Sequence, residues 1–342
     1  MEPAVYISAY LERLYTEAHP DLTDAARGLL REEIWQHPDA YATTDHARAL
    51  LTYARTREQL LSELDRMEDL PDEEFEQRSA ALFETTRAKM YRIAQEDHLC
   101  IDAQLVDILL SSAPLDNRLN DLMHVERTVR AHLADGVPGF DPEAPHLWNE
   151  EALARNGRDA AEATRSKPEV IGWLHALEAL SQECLATSRY RAAASYARTI
   201  LRAPGYGNGA MGTLLLALAR LEDEDGFFAT VRDGGEGLEE SPWFLLARTL
   251  LLYKLGHRRS ARRALRDFAS RCEGGAFFLL NPTYLAPYLP VRPEPRERWE
   301  RSHQAVWEAD GIIVDTPDFA AWAASIEGVG EASEDFARRY GF

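Results

Sequence analysis

Apolar residues recur along this chain at intervals of three and four, and that spacing limits what it can fold into more than any other feature. Ile7, Tyr10, Leu11, Leu14 and Tyr15 stand at offsets of i, i+3, i+4, i+7 and i+8, which places them on one face of a helix. Leu22, Ala25, Ala26, Leu29 and Leu30 repeat the pattern after His19-Pro20-Asp21, so the two segments predict a helical hairpin. Ala47, Leu50, Leu51 and Ala54 open another helix that continues through Leu60, Leu61, Leu64 and Met67 to the break at Leu70-Pro71-Asp72. A charged segment from Asp72 to about Glu96 carries Phe75, Leu82, Phe83, Met90 and Ile93 on one side. Helical spacing then returns at Ile101–Leu109 and again from Leu115 to Leu133, with Ala113-Pro114 between them. No stretch alternates with period two between turn signals, so the expected fold class is all-α.

Glycine and proline crowd Asp135–Lys167, with Trp148 and Leu153 as anchors for one short helix, and a domain junction is placed there. The expected organisation is a helical-hairpin region over 1–135, a linker over 136–167, paired-helix repeats over 168–275 and a helical extension over 276–342. From Leu174 the chain falls into units of about 34 residues. Leu177, Leu180, Ser181 and Cys184 mark the first helix of one unit, and Tyr190, Ala193, Ala197 and Ile200 mark its second, before Pro204. The next unit is more degenerate: Leu214, Leu215 and Leu218, then Phe227, Phe228 and Val231 before Gly234-Gly235. The third begins at Ser241-Pro242, turns at Gly256 and closes at Gly274-Gly275, with Ala261, Ala264, Leu265 and Phe268 on its packing side.

These residues resemble a bacterial tetratricopeptide-repeat protein, over roughly Leu177–Ile326. The segment from Asn281-Pro282 through Pro287-Tyr288-Leu289 is similar to the one that follows the repeats in relatives of the suppression-of-tumorigenicity family, and Ala305–Ile326, with Thr316-Pro317 and Trp322, resembles that module's closing helices. Pro290 stands where Leu-Gly is usual there, and Arg298-Trp299-Glu300 replaces an acidic stretch. The resemblance implies helical hairpins stacked as a right-handed superhelix beside an N-terminal helical bundle. It also implies protein or peptide binding in a groove, which is a fold-level analogy. The carboxylate clamp of chaperone-binding repeats is not expected, because Glu178 and Gln182 occupy the equivalent places in the first unit.

Charge narrows the function further. With 38 Lys plus Arg against 57 Asp plus Glu, the formal net charge is −19, which disfavours nucleic acid as a partner; a membrane is not an expected partner either. The three cysteines are far apart and odd in number, so neither a disulfide framework nor a metal knuckle is expected. The opening Met1-Glu2-Pro3 lacks a basic region followed by an apolar run, and no apolar run approaches the roughly 20 residues that span a bilayer. A cytoplasmic protein is expected.

Chemistry-bearing motifs are sparse. His98, Cys100 and Asp102 alternate at a spacing that scatters metal ligands around a helix, and His124 and His132 lack an accompanying carboxylate motif. No nucleophile elbow or phosphate loop is present, and Gly205-Tyr206-Gly207-Asn208-Gly209 reads as a turn between repeats. Acidic pairs such as Glu32-Glu33 are too numerous to single out a site. Against this acidic background Lys254, Arg258, Arg259, Arg262, Arg263 and Arg266 crowd the third repeat, on rows four residues apart that suit carboxylates or phosphates. Internal pairing with Glu222–Asp225, Glu236, Glu239 and Glu240 is the competing use of these cations. Trp243, Phe244, Phe277, Phe278, Tyr284 and Tyr288 form a second interaction clue, core apart from two or three that line a groove or dimer contact.

The expected function is therefore a non-catalytic scaffold without cofactor or metal, binding a protein or peptide, an acidic one among the candidates, and compatible with self-association. The alternatives are a hydrolase or other enzyme whose dispersed His and carboxylate residues meet only in the folded chain, or a regulator gated by a small peptide.

Overall fold

A computed structural model describes residues 1–67, 70–137, 140–143, 166–203, 206, 209–235, 237–285 and 297–342; these are helical throughout their regular structure and contain no strand. The expected short helix around Trp148 and Leu153 lies outside the described residues, as do Pro204, Glu236, Tyr288 and most of the Gly205–Gly209 string. The chain divides into two compact units, one of residues 1–180 with 199–208, the other of 181–198 with 209–342.

The first unit begins with α1 (Pro3–Ala18), which has proline at its first position and buries Tyr6, Ile7, Tyr10 and Leu11. α2 (Asp24–Gln36) packs against it, started by the Thr23 side chain accepting from the Ala26 amide at 3.3 Å. Thr44 caps α3 (Asp45–Arg66) in the same way, through the Ala47 amide at 3.1 Å. α4 (Asp72–Glu96), α5 (Ile101–Leu109) and α6 (Leu115–Gly136) follow, each packed on its predecessor. The charged α4 has a narrow buried seam of Ser79, Thr86, Met90 and Ile93. The first half of α7 (Pro168–Ala186) also belongs here, burying Val170, Ile171, Trp173 and Leu174.

In the second unit the Ser181 hydroxyl, on the last part of α7, donates to the Ala193 carbonyl of α8 (Tyr190–Leu201) at 2.9 Å. The small residues Ala193, Ala194 and Ala197 are buried, which lets the two backbones approach that closely. α9 (Ala210–Leu221) and α10 (Glu224–Asp233) form the next pair, α11 (Pro242–Lys254) and α12 (Arg258–Arg271) the one after. α11 is apolar on nearly all sides and sits between α9, α12 and α14 (Arg298–Val314). Short α13 (Gly275–Leu280) and α15 (Phe319–Ala324) and the terminal α16 (Val329–Tyr340) complete the unit. Gly274, expected to end a repeat, has φ +75° and instead leads into α13, α12 having ended at Arg271.

Candidate functional site

The basic cluster is set by the α11–α12 hairpin. Pro242 fixes the start of α11, while Ser241 stands at its N-cap in extended backbone without a side-chain capping bond. Gly256 ends the helix at φ +77°, with the Gly256 amide bonded to the Tyr253 carbonyl at 3.0 Å and the His257 amide to the Leu252 carbonyl at 2.9 Å. This is the Schellman arrangement, and its left-handed position suits a residue without Cβ. α12 then buries Ala261, Ala264, Leu265 and Phe268 against its neighbours. Offsets of three, four and seven residues place Arg259, Arg262, Arg263 and Arg266 together on the opposite face, all exposed.

Internal pairing takes some of these cations and leaves others. Lys254 Nζ lies 3.3 Å from Glu222 and is largely buried. Arg266 meets Glu327 at 3.0 Å. The Arg258 guanidinium sits 3.7 Å from the ring centroid of Tyr253, a cation–π contact. Arg259, Arg262 and Arg263 have no carboxylate partner among the described residues. Of the acids between residues 222 and 240, Glu222 reaches Lys254 and Glu240 reaches Arg271 at 3.7 Å, whereas Asp223 lies 3.9 Å from Arg198.

The first unit holds two part-buried histidine–aspartate pairs that local spacing did not reveal. Asp102 accepts from Tyr6 Oη at 2.5 Å and lies 2.7 Å from His175 Nδ1, while His175 Nε2 is 3.0 Å from the Met1 amino group. Burial pushes the Asp102 carboxyl up, but His175 and the Tyr6 hydroxyl outweigh burial and hold it below the usual aspartate range. One turn along α1, Tyr10 meets the His46 ring edge-on at 5.5 Å, and His46 Nδ1 is 2.5 Å from Asp97. His46 Nε2 is buried with no hydrogen-bond partner among the described residues. Asp97 and Asp102 bracket the turn between α4 and α5, so that one short connection and one helix face assemble both clusters.

The other flagged residues do not gather into a centre. His98 is exposed while Cys100 and Asp102 are buried, and among the described residues no three His, Cys, Asp or Glu side chains are grouped to hold a metal. All three thiols are buried, and burial raises Cys184 to about 11 and Cys272 to about 12. Phe277, Phe278 and Tyr284 do cluster, joined by Trp299, Phe336 and Phe342, whereas Phe244 stacks instead on Phe227. No helix among the described residues is long and apolar enough to cross a membrane. Comparison with family models, with curated proteins and with solved structures returned no match.

Proposed function

We propose that this chain is a non-catalytic binding protein whose tetratricopeptide-like hairpins present α12 to an acidic segment of a protein or peptide partner. The observation that carries this reading is the row of Arg259, Arg262 and Arg263, exposed and without a carboxylate partner among the described residues. Three guanidinium groups on adjacent turns repel one another. On a chain of net charge −19 they are a place where an acidic ligand meets attraction, and guanidinium forks suit carboxylates in particular. The hairpin itself supports the repeat reading, through the Gly256 turn and the alanine-lined seam of α12.

The part-buried pairs around Asp102 and Asp97 favour a structural role over catalysis. His175 and His46 keep only 18% and 15% of their side-chain surface exposed, and their carboxylates less, so a substrate has little access to them. The test is affinity capture by the whole chain and by the Arg259→Glu, Arg262→Glu, Arg263→Glu variant, compared by quantitative mass spectrometry. A stoichiometric partner with an acidic segment, lost by about tenfold or more on reversal while circular dichroism stays unchanged, is expected. Equal capture by both baits removes α12 from the function.

A further inference from the structure

A pocket of about 410 Å³ opens in the second unit, bordered by the end of α12, the start of α14 and the outer face of α16. Four arginines line it: Arg271, Arg298, Arg301 and Arg339. Its carboxylates are already engaged. Glu240 lies 3.7 Å from Arg271, Glu273 lies 3.0 Å from Arg339 and accepts from Tyr340 Oη, and Asp335 pairs with Arg338. Arg298 and Arg301 remain, exposed, three residues apart in the first turns of α14, and without a carboxylate partner among the described residues.

That placement is unfavourable in isolation. Two cations three residues apart on a helix repel each other, and the positive end of the helix dipole adds to the repulsion. The Glu297–Glu300 capping box takes two of the backbone amides at this end and engages both of those carboxylates, which leaves the two guanidinium groups to meet an external anion. Beside them Ser302 lines the same pocket, 1% exposed, and its hydroxyl has no hydrogen-bond partner among the described residues. A buried hydroxyl without a partner is uncommon, and this one has its hydrogen-bonding capacity free beneath the pocket. Burial raises the neighbouring Cys272 thiol, while Arg271 and Arg301 act to lower it.

We infer that this pocket binds a small phosphate monoester, its phosphate held between Arg298 and Arg301 with Ser302 beneath. A dianion matches two unpaired guanidinium groups, where a carboxylate leaves one uncompensated, and guanidinium forks fit phosphate oxygens. The volume exceeds what a bare phosphate fills and lies within the range of small-molecule sites, so the ester carries an organic remainder. This site shares no residue with the α12 row and stands whether or not that row binds a partner.

The test is isothermal titration of the full chain, at low ionic strength, with phenyl phosphate, inorganic phosphate and benzoate. Saturable binding of phenyl phosphate, tighter than either of the others, is expected. The double variant Arg298→Gln, Arg301→Gln should weaken it by about tenfold or more, and Ser302→Ala by a smaller factor. Arg259→Gln with Arg263→Gln on α12 should leave it unchanged. No saturable binding to the intact chain, equal affinity for benzoate, or an undiminished response in the Arg298, Arg301 variant, shown by circular dichroism to be folded, each overturns the assignment.

Discussion

Asp102 ties distant parts of the first unit's interior together. Its carboxylate is nearly inaccessible, yet it has two close partners, Tyr6 and His175, from helices distant in sequence. Removing one member of a buried charged network leaves the others uncompensated, so Asp102→Asn should cost about 3–5 kcal/mol in urea unfolding near neutral pH. Its native pKa is lowered, so the folded state binds fewer protons than the unfolded state through the acid range. The resulting stabilisation is complete above the ordinary aspartate range, about 4, and disappears as pH falls through the lower native value. The wild type should therefore lose stability over this acid window, and Asp102→Asn should show a shallower loss there. An equally steep acid limb in the variant would assign acid sensitivity to other carboxylates.

Helix boundaries and faces are where the sequence speaks most directly. The α11–α12 hairpin follows from Pro242, Gly256 and the alanines of α12, because a proline start, a left-handed stop and a 3.6-residue period are local properties of the chain. Gly274 misleads for the same local reason: a left-handed glycine serves the start of α13 as readily as the end of α12. Convergence between separate helices has no such signal. Asp102 and His175 lie 73 positions apart, and the pocket arginines come from three helices, so spacing along one element cannot report either. Gly212 is another such tertiary constraint. A Cβ there would stand 2.6 Å from Cδ1 of Trp243, whose indole donates to Glu308 at 2.7 Å. Gly212→Ala must displace that ring, and a loss of about 1–3 kcal/mol in chemical denaturation is expected. Gly256→Ala, with open space but φ +77°, should cost about 1–2 kcal/mol for backbone reasons alone.

For the molecule as a whole, the net charge of −19 sets two opposing responses to salt. A chain so far from neutrality pushes its own surface apart when folded, and the many exposed ion pairs, such as Arg31 with Glu12 at 2.7 Å, return little of that energy. Raising NaCl from about 0.05 to 0.5 M shortens the screening length from roughly 14 to 4 Å, which removes most repulsion between distant carboxylates. The thermal midpoint should therefore rise with salt. Capture of an acidic partner through Arg259, Arg262 and Arg263 depends on attraction between exposed charges and should fall over the same range. Scanning the unfolding midpoint and partner capture on one salt series separates the two effects, because a gain in folded fraction cannot itself weaken binding. Replacing the three arginines by glutamine should flatten the capture response while leaving the rise in midpoint in place. Capture that holds constant across the series, or a midpoint that falls, would show that the acidic surface is compensated within the fold and that α12 is not where a partner is attracted.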